Sequence, residues 1–173
     1  MGSQTVKRAI LLSAWIIIIA AAIIEALIFL HLVRLPFVQV NVFGATHSLT
    51  HWIGWIGTLY IAFATPFLPI VRRKAPIYFE NTLNIHIIGN LVAVLLVSVH
   101  FAHQVTRSAS SYPDLGTGVV LYAAMMLLVA TGILRYSGIG KRFAKQLIFL
   151  HPAFAATFYM VIILHILHGI SLI

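Results

Sequence analysis

Long apolar runs separated by short polar connections set the pattern of this sequence. Five runs reach the length of about 17 to 25 residues that an α-helix needs to cross a hydrocarbon core about 30 Å thick. They cover about residues 10–30, 51–71, 82–104, 118–134 and 151–173. Pro66 and Pro69 predict a kink or an early end of the second helix. We therefore predict an all-α membrane protein with five transmembrane helices, forming a single integral membrane domain over residues 1–173.

The composition supports a lipid environment. Hydrophobic residues make up 61% of the 173 residues and charged residues only 8%, whereas a soluble domain carries about 25% charged residues. The formal net charge of +8 would otherwise suggest a nucleic-acid partner, but the basic residues lie between the apolar runs, so membrane topology explains them. Cysteine is absent, which excludes disulfides, covalent c-type haem attachment and iron–sulfur clusters.

The basic residues also predict the orientation of the chain. With the N-terminus inside, nine lysines and arginines fall on the inner side and two on the outer side. The inner set is Lys7, Arg8, Arg72, Arg73, Lys74, Arg135, Lys141, Arg142 and Lys145, and the outer set is Arg34 and Arg107. Because basic residues accumulate on the cytoplasmic side, we predict a multi-pass protein of the cell membrane with its N-terminus inside and its C-terminus outside.

Two apolar runs carry histidines at matched positions. His86 and His100 in the third run, and His151 and His165 in the fifth, are each fourteen residues apart. Fourteen residues end about 40° short of four helical turns and rise about 21 Å, so both histidines lie near one face. One helix separates the two runs, so both cross the membrane in the same direction. His86 is therefore expected at the same membrane depth as His151, and His100 at the same depth as His165. Pro152 disfavours helical dihedrals at the residue before it, which predicts that His151 lies at the entry of its helix.

This arrangement suits haem. The iron takes one axial ligand on each face of the porphyrin, and neutral imidazole is a good ligand. The four histidines therefore predict two b-type haems, stacked in a helix bundle centred on helices 3 and 5. Gly89, one turn after His86, is expected to leave room for a macrocycle. The alternative is that these histidines only make structural hydrogen bonds near the membrane interface.

Five further histidines are predicted near the outer surface. His103 and His168 follow His100 and His165 by three residues and are alternative ligands for the outer haem. His31, His47 and His51 form a possible extra outer site, since His47 and His51 have the i, i+4 spacing of a helical metal pair. These five histidines have three open interpretations. They bind a further metal or haem, they border a quinol or proton-handling site, or they are plain interfacial residues.

Glu25 lies well inside the first apolar run. A charged, unpaired carboxylate is costly at that depth. Glu25 is therefore a candidate proton relay, or else a protonated, hydrogen-bonded structural residue. The sequence assigns no catalytic residue beyond this candidate.

The paired histidine segments resemble the membrane domain of ferric reductases and NADPH oxidases. They are also similar to the four-helix core of respiratory di-haem cytochromes b. The resemblance covers about residues 84–168 and implies bis-histidine b-type haems with the couples His86/His151 and His100/His165. The oxidase and reductase families usually carry a cytosolic flavin and nicotinamide domain, which these 173 residues do not include. The resemblance therefore implies a donor that is a separate subunit or a small reductant.

Taken together, these features predict transmembrane electron transfer. The chain is expected to act as the membrane cytochrome b subunit of a redox complex of the respiratory type, an oxidoreductase component that exchanges electrons with quinone or a partner protein. Membrane lipid is the surrounding partner, and an oligomer is compatible with the sequence. The first alternative is a stand-alone ferric or cupric reductase with its acceptor site on the outer, histidine-rich face. The second is a haem-free metal or proton transporter lined by histidines.

Overall fold

The computed structural model describes residues 2–36, 38–42, 45–107 and 116–169. The helices in this part of the chain are α1 (Gly2–Phe29), α2 (Leu49–Lys74), α3 (Phe79–Val105), α4 (Gly116–Ser137) and α5 (Ala144–Gly169). Short 3₁₀ turns, Pro76–Tyr78 and Ile139–Phe143, precede α3 and α5. The prediction of five helices long and apolar enough to cross a membrane is confirmed. The last residues of the fifth predicted span, 170–173, lie outside the described part.

The chain forms two compact units. The first, Met1–Thr106, contains α1, α2 and α3, and the second, Arg107–Ile173, contains α4 and α5. Each unit thus holds one of the two histidine pairs, with His86 and His100 in α3 and His151 and His165 in α5.

In the first unit, α3 packs against both α1 and α2. The buried residues of α1 recur at intervals of four and seven, which places them on one face of that helix. They are Ile10, Ala14, Ala21 and Ile28. Other apolar side chains of α1, such as Ile16 and Ile19, are more than half exposed. That exposure suits a helix whose outer face meets lipid, since lipid tails are as apolar as these side chains.

Two buried glycines bring α2 close to α3. A Cβ added at Gly57 would lie 2.7 Å from the carbonyl oxygen of Ala93, so this position admits no larger residue without movement. Small residues allow such close backbone approach between membrane helices.

The predicted early end at Pro66 and Pro69 is wrong, because α2 continues through both prolines to Lys74. A proline removes one backbone hydrogen bond, and in an apolar surrounding continuing the helix satisfies the remaining backbone groups.

A β-hairpin that the sequence did not predict precedes α2. Strand β1 (Gln39–Val42) pairs with β2 (Ala45–Ser48) in antiparallel register. The indole N–H of Trp52 donates to the carbonyl oxygen of Val40 at 2.9 Å, which ties the hairpin to the first turn of α2. Ser48 caps α2 by accepting from the backbone N–H of His51 at 3.3 Å. His47 therefore lies in β2 and His51 in α2, so the predicted i, i+4 pair on a single helix is wrong.

In the second unit, α4 and α5 pack against each other around Met125 and Phe158, which are 2% and 1% exposed. Gly138 follows α4 with a positive φ of 79°, a conformation that glycine adopts readily after a helix. Helix α5 then begins at Ala144, so the predicted entry position of His151 is wrong. His151 and Pro152 both lie inside α5, because the residues before them already form a helical turn.

Candidate functional site

Two histidines of α5, His151 and His165, both meet α4, and each meets a threonine–glycine pair. The Nδ1 atom of His151 lies 3.0 Å from the hydroxyl of Thr131, and the Nδ1 atom of His165 lies 3.0 Å from the hydroxyl of Thr117. The glycine that follows each threonine lies under the same ring. A Cβ added at Gly132 would be 3.1 Å from Cε1 of His151, and one at Gly118 would be 3.4 Å from Cε1 of His165. The same arrangement thus occurs twice along this helix pair.

His100 of α3 has a related environment in the first unit. Its Nδ1 lies 3.1 Å from the backbone carbonyl oxygen of Thr50. A carbonyl oxygen only accepts, so Nδ1 of His100 carries the hydrogen of this hydrogen bond. A Cβ added at Gly54 of α2 would lie 2.7 Å from Cγ of the His100 ring. The ring of His51 meets it edge-on at a centroid distance of 5.3 Å.

His86, also on α3, has a different neighbour. The side-chain nitrogen of Asn90 lies 3.2 Å from its Nδ1 and 3.3 Å from its Nε2. The side-chain oxygen of Asn90 is buried and has no hydrogen-bond partner among the described residues. The side chain of Tyr60 lies over Gly89, so a macrocycle at this position would require Tyr60 to move, and the room expected there stays a prediction. The hydroxyl of Tyr60 donates to the carbonyl oxygen of Ile85 at 3.2 Å.

The alternative outer ligand on α3, His103, is held at the contact between α2 and α3. It is 7% exposed, and its Nδ1 lies 2.7 Å from the hydroxyl of Thr50. That hydroxyl lies 3.1 Å from the hydroxyl of Ser48, so the side chains of His103, Thr50 and Ser48 form a buried hydrogen-bond network. The backbone of the other alternative, His168, belongs to α5, while its side chain is outside the described part.

The three histidines of the possible extra site, His31, His47 and His51, lie in different elements. The rings of His47 and His51 stack at a centroid distance of 4.4 Å. The indole N–H of Trp55 donates to Nε2 of His51 at 2.9 Å. His31 lies in the turn after α1 and is exposed. Within the described residues, no group of three or more His, Cys, Asp or Glu side chains is arranged to hold a metal ion.

Glu25 lies partly buried in α1. Its assignment as a proton relay stays a prediction. The three interpretations of the further histidines, an extra metal or haem, a quinol or proton-handling site, and interfacial residues, likewise stay predictions.

The sequence reasoning missed the threonine–glycine pairs of α4. Their signal was available, because Thr117–Gly118 and Thr131–Gly132 are fourteen residues apart, the same separation as the two histidines of α5. Threonine and glycine are common in membrane helices, so that repeat gains meaning only when α4 is seen against α5.

Comparisons with protein-family models, with curated proteins and with solved structures found no match for this chain. The functional argument therefore depends on the residues and geometry described above.

Proposed function

We propose that this chain is a cell-membrane cytochrome b that holds two b-type haems through four histidines and carries electrons from one side of the membrane to the other. The proposal takes His86 with His151 as the inner ligand couple and His100 with His165 as the outer one. It places the N-terminus inside, as the distribution of basic residues predicts.

The observation that carries the proposal is the matched pair of histidine ladders, two histidines fourteen residues apart on each of α3 and α5. The surroundings of three of the four rings fit an axial ligand. His100, His151 and His165 each have Nδ1 within 3.1 Å of an oxygen atom. Ligating histidines commonly donate the hydrogen of one ring nitrogen to an oxygen and use the other nitrogen for the metal. Asn90, with its unpartnered buried oxygen beside His86, offers a further polar group at the inner level.

Bound haem iron would supply a one-electron ferric–ferrous couple. The protein's part is to hold and orient the imidazoles and to keep water away. The ladder spacing of about 21 Å spans most of a hydrocarbon core about 30 Å thick, which gives the chain two electron sites at different depths. The segment of α5 between the two levels, residues 152–164, is largely apolar, and its Phe158 is almost fully buried.

The proposed partners are a quinone or a redox protein, with the chain serving as the membrane subunit of a redox complex. A stand-alone ferric or cupric reductase uses the same haems with a different acceptor. Oxidation of the reduced protein by quinone analogues and by ferric chelates, compared in one stopped-flow experiment, separates these two functions.

Haem content is the direct test. The protein purified from a haem-replete host should show a sharp α-band on reduction and about two haems per chain in a pyridine haemochrome assay. A colourless protein that also fails to take up added haem would contradict the proposal and favour a histidine-lined transporter.

Two glycine variants test whether ring position matters for haem binding. Gly132→Ala places a Cβ 3.1 Å from the His151 ring, which must then shift, whereas Gly118→Ala makes an ordinary contact of 3.4 Å with His165. We expect Gly132→Ala to weaken the inner haem by about tenfold, in the range of other disturbances to a ligand's surroundings. Gly118→Ala should leave the outer haem unchanged. Haem titration of the apoprotein measures the affinity of each site in each variant and in the unmodified protein. An inner-haem affinity that Gly132→Ala leaves unchanged would contradict the expectation.

A further inference from the structure

Three residue pairs of α4, spaced seven residues apart, face three residues of α5 that have the same spacing and follow in the opposite order along the chain. Seven residues are nearly two turns, so each set lies along one face. On α4 the pairs are Thr117–Gly118, Ala124–Met125 and Thr131–Gly132, and on α5 the residues are His165, Phe158 and His151. The threonine–histidine contacts at both ends show that the two faces meet in this register.

The middle level of this register is apolar and closed. Ala124, Met125 and Phe158 are 6%, 2% and 1% exposed. None of the three offers a polar group that competes with the threonines for the histidines. The two threonine–histidine contacts therefore act as separate polar levels on either side of an apolar layer.

The hydrogen-bond direction at Thr131 follows from its other contacts. Its hydroxyl lies 2.8 Å from the carbonyl oxygen of Leu127 and 3.0 Å from that of Leu128. Both carbonyls only accept, so the single hydroxyl hydrogen of Thr131 is donated to them. The oxygen of Thr131 then accepts from His151, which puts the ring hydrogen on Nδ1 and the lone pair on Nε2.

We propose that Thr131 and Thr117 are positioning residues, each holding one histidine of α5 in the Nδ1–H tautomer with its ring plane set for axial ligation. This inference rests on the proposed function and assigns Thr117, at the same 3.0 Å distance, the same role toward His165. A hydrogen bond donated from Nδ1 fixes the tautomer and raises the basicity of Nε2 toward a metal. The threonines thereby set both the orientation and the donor strength of the two ligands.

The first arm of the test needs no haem. Histidine ¹⁵N chemical shifts of the apoprotein in micelles report the tautomer of each ring, with the signal of His151 identified by its loss in His151→Gln. We expect His151 to be in the Nδ1–H tautomer in the unmodified protein. Thr131→Val, which keeps the shape and removes the hydroxyl, should shift the population toward Nε2–H, and Thr131→Ser should restore it. An unchanged tautomer in Thr131→Val would overturn the positioning role.

The second arm measures the haems of the same variants. Thr131→Val should weaken the inner haem by about 10- to 100-fold and raise its midpoint potential, because a less basic imidazole stabilises ferric iron less. Thr117→Val should do the same to the outer haem only, and each serine variant should restore its own site. A loss of haem that Thr131→Ser does not repair would indicate a packing role and overturn the inference.

The two arms separate this inference from the proposed function. In one outcome the apoprotein shows the predicted tautomers and their response to Thr131→Val, but neither the unmodified protein nor any variant binds haem. The positioning of the histidines by threonine is then supported, and the cytochrome proposal fails. If haem binds with bis-histidine spectra while the threonine variants change neither tautomer nor potential, the cytochrome proposal stands and the positioning role fails.

Discussion

Replacing His151 with alanine should leave about one haem per chain where the unmodified protein holds about two. His86→Ala should remove the same haem, because these two histidines would hold one iron together. His100→Ala and His165→Ala should each remove the other haem. Potentiometric titration of the α-band identifies which component is lost, since two haems at different depths differ in their surroundings.

The neighbouring histidines provide the control for this experiment. His103→Ala and His168→Ala should both retain two haems. For His103 the reason is that its ring is held in the buried hydrogen-bond network with Thr50 and Ser48. If either variant empties the outer site while His100→Ala or His165→Ala does not, the choice of outer ligand is wrong. If each of the four ladder variants keeps both haems, the ligand set as a whole is contradicted.

Gly57→Ala should destabilise the first unit more than an alanine elsewhere in the apolar helices. The added Cβ would lie 2.7 Å from the backbone carbonyl oxygen of Ala93 and 3.1 Å from Cγ2 of Val97. A backbone oxygen inside a helix cannot rotate away, so α2 and α3 must separate. Overpacking of this kind costs about 1–3 kcal/mol, and thermal unfolding in detergent, followed by circular dichroism, measures the loss.

Gly118→Ala is the matched control for Gly57→Ala. It makes the same substitution in an apolar helix, and its new Cβ meets only the His165 ring at an ordinary contact distance of 3.4 Å. Its unfolding midpoint should stay near that of the unmodified protein. Equal midpoints for the two variants would contradict the close backbone contact between α2 and α3.

The existence of the helices was predictable because it depends on local apolar length. A run of about 20 apolar residues forms a helix in lipid whatever its neighbours are, since only internal hydrogen bonding satisfies its backbone. The helix ends were less predictable. The prolines at 66, 69 and 152 are strong local signals against helix, yet α2 and α5 pass through them, because the surrounding helix outweighs one missing hydrogen bond.

The hairpin before α2 shows where local reasoning stops. Its strands are only four residues each, and two short strands have little stability alone. The hydrogen bond from Trp52 to Val40 and the cap at Ser48 hold the hairpin against the start of α2. Neither contact can be read from hydropathy, and together they place His47 and His51 in different elements.

Sequence spacing alone identified which histidines share a helical face and at what separation, because helical rise and rotation per residue are constant. It could not assign a hydrogen to either ring nitrogen. That depends on which atom of a neighbouring helix lies opposite, and the register of α4 against α5 brings the hydroxyls of Thr131 and Thr117 within 3.0 Å of Nδ1 of His151 and His165. Tertiary packing thus decides ring orientation and tautomer, since both follow from hydrogen bonds between residues far apart in the chain.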